Sequence, residues 1–142
     1  MEILYPDRDK SFDKQSNIIL LAMVIYGEAR GEPIEGQVAI GNVIKNRLEN
    51  KERFGGNWKE VILKKWQFSC FNENDPNRVK MLDPELDIWE QCYVIADAIF
   101  FDHFRDNVSG ANHYVNPKIA QPKWIEGGKP VKVIGNHSFY KL

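Results

Sequence analysis

The stretch Ile18 to Ile25 constrains this chain more than any other, because its eight consecutive apolar residues leave no polar face. A helix built on them must be enclosed by protein on every side. The run is far short of the roughly 20 residues that span a bilayer, so it belongs at the centre of a core rather than in a membrane. Ser16 offers an N-cap, and the helix is expected to run through Asn17–Ala29 and stop near Gly31, because Pro33 disfavours helical geometry at the residue before it. Covering such a helix takes chain, and 142 residues suffice for one domain burying roughly 70% of its unfolded surface.

The following segments supply the cover. A second helix, Pro33 to about Asn50, sets Ile34, Val38, Gly41, Ile44 or Lys45, and Leu48 at helical spacing, with Gly36 and Gly41 permitting close approach. Asn57 and Glu60 frame a capping box for a short helix over 58–65, and a loop runs from Trp66 to Asn77. Asp83 and Pro84 start a long helix ending near Phe101, whose inward residues are Leu86, Trp89, Tyr93, Ala96, Ala98 and Phe100 or Phe101. Beyond Asp106 the chain is turn-rich, and residues 129–142 read as two short strands joined at Gly135 and Asn136. The expected fold is α+β and mainly helical, in a single domain 1–142. It comprises an N-terminal extension (1–14), a helical core (15–106) and a segment (107–142) holding a small C-terminal β-hairpin or short sheet.

Charge narrows the partners. Nineteen basic against twenty acidic side chains leave a net charge of −1, so no global field draws the chain toward nucleic acid or an anionic membrane. Locally, Lys118, Lys123, Lys129, Lys132 and Lys141 against Glu126 alone give residues 110–142 a charge of +4, suited to a basic wall facing an anionic polymer. The N-terminus mixes both signs without the basic-then-apolar order of an export signal, so synthesis and first residence in a cytoplasm are expected. Cys70 and Cys92 show no CxxC spacing, which argues for two free thiols and against a zinc knuckle; no metal or cofactor is expected.

The densest chemistry lies in Tyr26-Gly27-Glu28-Ala29-Arg30-Gly31-Glu32-Pro33. Glu28 sits at the C-terminal end of an apolar helix, where partial desolvation and the negative end of the helix dipole both disfavour its charged form. A carboxyl that stays protonated near neutral pH is what protonation of a glycosidic oxygen requires. On its own a glutamate at a helix end is more often solvated or salt-bridged, and Arg30 is the obvious neutraliser. Glu32 lies four residues on, but Gly31 and Pro33 break the shared face, so Glu32 is read as structural.

These residues also resemble a known pattern. IYGEARGEPIEGQVAIGNVIKNR, residues 25–47, is similar to the opening signature of the SleB/CwlJ-like cell wall hydrolases, a family of spore cortex-lytic enzymes and some phage and prophage lysins. Gln67-Phe68-Ser69, HYVNP (His113 to Pro117), Lys123-Trp124 and IGNHSFY (Ile134 to Tyr140) follow in that family's order. The resemblance implies a lysozyme/lytic-transglycosylase-like domain that cleaves the glycan strands of bacterial peptidoglycan, with Glu28 as the catalytic acid. One carboxyl suffices if the muramic C6 hydroxyl attacks its own C1 and leaves a 1,6-anhydro end. Hydrolysis of the N-acetylmuramidase type is the alternative.

The resemblance also makes Tyr26, Gln67, Phe68, Ser69, His113, Tyr114, Asn116, Trp124, Asn136, His137 and Tyr140 candidates for substrate binding, the polar ones by hydrogen bonds and the aromatics by stacking on sugar faces. A monomer is expected. Residues 1–14 and the loop Asn72 to Lys80 match no feature of the family. The lack of an export signal or a peptidoglycan-binding repeat fits a lysin that reaches the wall through a holin. Three rivals remain: a cysteine peptidase using Cys70 with His113 or His137 and Asn136, a zinc amidase built from His103, His113 and His137, and a non-catalytic glycan-binding module. Against the first two, Cys70 falls in a loop and the histidines lack HExxH spacing.

Overall fold

The computed structural model describes residues 1–64 and 67–142, and among them it places six α-helices and three short strands. Helix α1, Asn17–Ala29, is capped by Ser16, whose hydroxyl accepts the Ile19 amide at 3.3 Å. Leu20 through Ile25 are fully buried, as the unbroken apolar run requires. Helices α2 (Ile34–Arg47), α4 (Trp58–Leu63), α5 (Asn77–Leu82) and α6 (Leu86–Phe100) surround it. Helix α3, Lys51–Phe54, is a single turn. At Gly41 a Cβ would collide with Ile99 Cδ1, so glycine is what lets α2 and α6 approach there. Among the described residues no helix is long and apolar enough to cross a membrane.

Helix α2 connects this core to the β element. Asn42 Nδ2 donates to the Arg105 carbonyl (3.2 Å) and to Asn107 Oδ1 (3.0 Å). Lys45 donates to the Ile99 carbonyl at 3.1 Å and pairs with Asp102. Asn46 Nδ2 reaches the Ala111 carbonyl (2.9 Å) and Arg47 Nε the Asn112 carbonyl (2.8 Å). Polar side chains at successive turns of α2 thus satisfy the carbonyls of the connection 99–112, which delivers the chain to β1 (His113–Val115). Strands β2 (Lys132–Ile134) and β3 (His137–Tyr140) complete an antiparallel sheet of order β1-β3-β2, with His113 opposite Tyr140 and Tyr114 opposite Phe139. Gly135, at φ +57°, makes the turn between β2 and β3.

The mainly helical α+β expectation holds, and several details differ. The second helix ends at Arg47, because the Asn50 side chain accepts the Arg53 amide at 3.3 Å and starts α3. Ile34, Leu86 and Phe101 lie at helix ends and are exposed, not core residues. Asn57 caps α4 as expected, but the Glu60 carboxylate returns to the Gly56 amide (2.6 Å), one residue before the cap. Asp83 does not cap α6; it pairs with Arg8 at 2.6 Å, and the helix begins at Leu86. The expected loop between α4 and α6 contains a 3-10 turn, Ser69–Phe71, and helix α5. A third strand, β1, joins the hairpin. The expected helix end at Lys65 and loop start at Trp66 lie outside the described residues. The N-terminal extension lies against α6, where Trp89 Nε1 donates to the Leu4 carbonyl at 2.8 Å.

Gly41→Ala should lower stability by about 1–3 kcal/mol through overpacking against Ile99. A thermal melt will show it as a reduced Tm. Gly31→Ala, whose Cβ would meet nothing within 4 Å, is the control and should leave Tm unchanged or slightly raised.

Candidate active site

Glu28 is the penultimate residue of α1. Its neighbour Gly27 lets the turn Ser69–Phe71 close directly on the helix: a Cβ there would stand 2.7 Å from Cys70 Cβ and 3.0 Å from Met81 Sδ. Cys70 therefore lies against the helix beside Glu28. Burial pushes the Glu28 carboxyl above its ordinary pKa; the Cys70 amide and thiol pull it part of the way back, and the Asp75 charge pushes it further up. Arg30 does not neutralise it. That guanidinium turns to the Tyr26 carbonyl (3.0 Å) and Asn77 Oδ1 (2.8 Å). Among the described residues no cationic nitrogen lies within 4.0 Å of Glu28. The arrangement is an unpaired, desolvated carboxyl held at the carbonyl end of a helix, which favours the protonated acid.

The pleat divides the C-terminal candidates between two faces. Tyr114, His137 and Phe139 share one face, with the Tyr114 and His137 rings 5.4 Å apart. Burial, and after it the negative charge of an ionised Glu28, push the Tyr114 phenol well above its ordinary pKa. His137 Nδ1 lies 2.7 Å from Glu32 Oε1, short but poorly aligned for a full hydrogen bond. Asn136 donates to the same carboxylate from its backbone amide (3.3 Å) and its side chain (3.4 Å). Glu32 is thus a clamp between the α1–α2 corner and the hairpin turn, and burial outweighs its pull to lower the His137 pKa.

On the other face, Trp124 stands 5.1 Å from both His113 and Tyr140, and Phe54 stands 6.0 Å from His113. Burial and the charges of Arg47 and Arg53 bring the His113 pKa down to about 4. That imidazole is neutral at physiological pH. His103 lies beside Phe101, so the three histidines are not brought together.

Three candidates are placed otherwise than expected. Tyr26 is about 200° around the helix from Glu28 and is buried, its hydroxyl accepting the Glu85 amide at 3.1 Å. Phe68 is buried beneath the Arg47 guanidinium, 5.1 Å from it. Asn116 Oδ1 accepts the Lys118 amide at 3.0 Å and serves a turn. Gln67 and Ser69 are exposed, and Gln67 Oε1 accepts from Arg47 Nη1 at 3.1 Å.

Arg47 and Asp75 shape the site although no sequence motif marks either as a site residue, and Cys70 does so as a neighbour of Glu28 rather than as a nucleophile. Arg47 is the last residue of the quoted signature, and a helix-end arginine gives no sign that it will be buried. Cys70 follows the motif residue Ser69, but only the Gly27 contact brings it to Glu28. A cavity of about 700 Å³ opens next to the turn, its wall including Phe68, Phe71, Asn72, Asp75 and Arg78. Glu28 is not among its lining residues, so the acid stands beside this cavity rather than at its floor. Burial and the adjacent Glu28 push the Cys70 thiol far above its ordinary range, which leaves no thiolate for a peptidase reaction.

The chain belongs to the cell wall hydrolase family, whose sequence model matches residues 31–140. That stretch begins three residues beyond Glu28, so the case for this acid rests on its geometry. Among solved structures, the chain is similar to the catalytic domain of the germination-specific lytic transglycosylase SleB from Bacillus anthracis, at a TM-score of 0.71 and 29% identity over 91% of this chain and 98% of that one. It is likewise similar to the catalytic domain of the Bacillus cereus SleB protein, at a TM-score of 0.68 and 32% identity over 88% of this chain and 89% of the other. Spore cortex-lytic enzymes of Halalkalibacterium halodurans and Bacillus subtilis are each 36% identical over 87% of this chain, matching 34% and 37% of their own lengths. The chain spans about a third of the length of these curated relatives.

The raised pKa of Glu28 has a sign that can be measured. The folded state binds the proton more tightly than the unfolded chain, so stability is highest below the unfolded pKa and falls as pH rises through the folded one. Glu28→Gln removes this dependence. Thermal melts should show the variant matching wild type at low pH and exceeding it increasingly toward neutrality. A difference independent of pH would contradict the desolvated, unpaired carboxyl.

Proposed function

We propose that this domain cleaves the glycan strands of peptidoglycan as a lytic transglycosylase, with Glu28 as its acid–base group. The observation that carries the reading is a half-buried carboxyl at a helix end, raised in pKa by desolvation and without a cationic partner among the described residues. The protonated Glu28 donates to the glycosidic oxygen as the bond from that oxygen to muramic C1 breaks. The C6 hydroxyl of the same sugar then attacks C1 while the Glu28 carboxylate takes its proton, which closes the 1,6-anhydro ring and restores the acid. No second carboxylate is needed. Glu32 is unsuited to the part, because its oxygens are held by His137 and Asn136. Likeness to a domain described as a lytic transglycosylase supports the same chemistry.

The sheet supplies the rest of the reading. Tyr114 is positioned to orient the reacting sugar near Glu28, while His113, Trp124 and Tyr140 form an aromatic face of the kind on which pyranose rings stack. The exposed lysines of residues 110–142 face solvent, where they suit an anionic wall polymer.

Glu28→Gln should reduce release of muropeptides from purified peptidoglycan by about 10²–10⁴. Mass spectrometry of the wild-type products should find 1,6-anhydro ends; reducing ends throughout would replace this mechanism with hydrolysis. Glu32→Gln should cost much less activity and appear mainly as a lowered Tm. Because the active form of Glu28 is the acid, the rate should fall as pH rises through its pKa. Asp75→Asn removes a negative charge that raises that pKa, so this alkaline limb should move to lower pH. Asparagine retains the acceptor that Asp75 offers to the Asn77 amide, so the fold should persist.

A further inference from the structure

Cleavage of a neutral glycan backbone makes no use of the cavity beside the acid. Its wall is drawn largely from residues 71–78, most of them in the Asn- and Asp-rich loop 72–80. Arg78 is the unsatisfied group in that wall. Among the described residues its guanidinium has no carboxylate within 4.0 Å, and its Nε is buried without a hydrogen-bond partner. The side chain is half-buried, and a donor left without a partner gains from a ligand that supplies one. The guanidinium is also fixed in advance, 5.1 Å over the Phe12 ring, which itself packs edge-on against Phe71 at 5.0 Å.

We propose that this cavity holds the peptide stem carried by the glycan strand, with Arg78 anchoring a stem carboxylate. The proposal rests on the glycan-cleaving reading above and names the part of the substrate that lies beside the scissile bond. A planar guanidinium matches a carboxylate through two parallel hydrogen bonds, a match that an uncharged N-acetyl sugar does not offer. The other charges of the wall leave Arg78 available. Asp75 Oδ1 accepts the Asn77 amide at 2.8 Å, Glu73 points to solvent, and Lys64 donates to the Arg53 carbonyl at 2.7 Å.

Glu73 and Asp75 also shape what enters, because two nearby carboxylates disfavour small free polyanions. A single carboxylate on an amide-rich chain is better suited. The side-chain amides of Asn72 and Asn74 make no hydrogen bond among the described residues and can meet the peptide groups of such a chain. A volume of about 700 Å³ accommodates several residues. Cys70, between the wall residues Phe68 and Phe71, touches the helix at Glu28, which places cavity and acid a single turn apart.

The test measures binding without cleavage. Glu28→Gln protein is titrated by calorimetry with a soluble disaccharide-peptide fragment of peptidoglycan, and with the same disaccharide carrying a methylamide in place of the peptide, which leaves no free lactyl carboxylate. Adding Arg78→Gln should weaken binding of the peptide-bearing fragment by about 10-fold or more and leave the peptide-free one unchanged. Arg78→Lys should restore only part of the loss. In parallel, the Arg78 Nε–H resonance of the protein with arginine unsubstituted should shift on adding the peptide-bearing fragment, which keeps the proposal testable if the variants fold poorly. Equal weakening for both fragments, no weakening, or an unmoved Nε–H resonance would overturn it. Because cleavage is not the readout, stem binding without muropeptide release by wild type would sink the catalytic reading alone.

Discussion

A helix with no polar face has to be sealed from every direction, and the placement of the other elements follows from sealing α1. Each fully buried Leu, Ile, Val or Met contributes roughly 1.5–3 kcal/mol, so the six residues from Leu20 to Ile25 dominate the local energetics. Along most of its length the seal is made by helices. At the C-terminal end it is made by the 3-10 turn Ser69–Phe71, admitted by the missing side chain at Gly27. Closing that end removes water from Glu28 at the same time. The burial that holds the core together is thus the burial that raises the acid's pKa, and the site needs no separate device to create it.

The two glutamates of the motif separate by their partners. Glu32 meets an imidazole and two amide donors of the hairpin, so its oxygens are occupied and its task is mechanical. Glu28 receives only the Cys70 turn, and the nearest arginine in sequence is engaged elsewhere. Exchange of those surroundings would exchange the roles. Helix α2 makes the difference stable: its Asn42, Lys45, Asn46 and Arg47 bind the connection to β1, and so fix the sheet face that carries Tyr114 and His137.

What could be read from the sequence was local. The bounds of α1, its Ser16 cap, the Asn57 cap and the Gly135 turn each depend on residues within a few positions, and each is found where its residue pattern places it. Helix α5 is short and of mixed polarity, so no periodicity marks it. Strand β1 has three residues, and its pairing with β3 joins positions more than twenty apart. Tyr26 adjoins Glu28 in the motif, but two steps along a helix turn its side chain to the opposite side. His113 and Tyr114 adjoin in the sequence, but the alternation of a strand sends them to opposite faces. Arg47 and Cys70 owe their importance to burial by distant segments, which no local pattern encodes.

The N-terminal extension and the loop 72–80 also meet one another in space. Phe12 of the extension packs on Phe71 and beneath Arg78, Arg8 pairs with Asp83, and the Asp13 carbonyl accepts from Lys59. The extension therefore braces the loop that walls the cavity. A rigid core with a braced peripheral loop lets the chemistry stay constant while the loop varies in what it admits. The extension and the loop thus form one unit, and a change at Phe12 or Arg8 would be felt at the cavity wall.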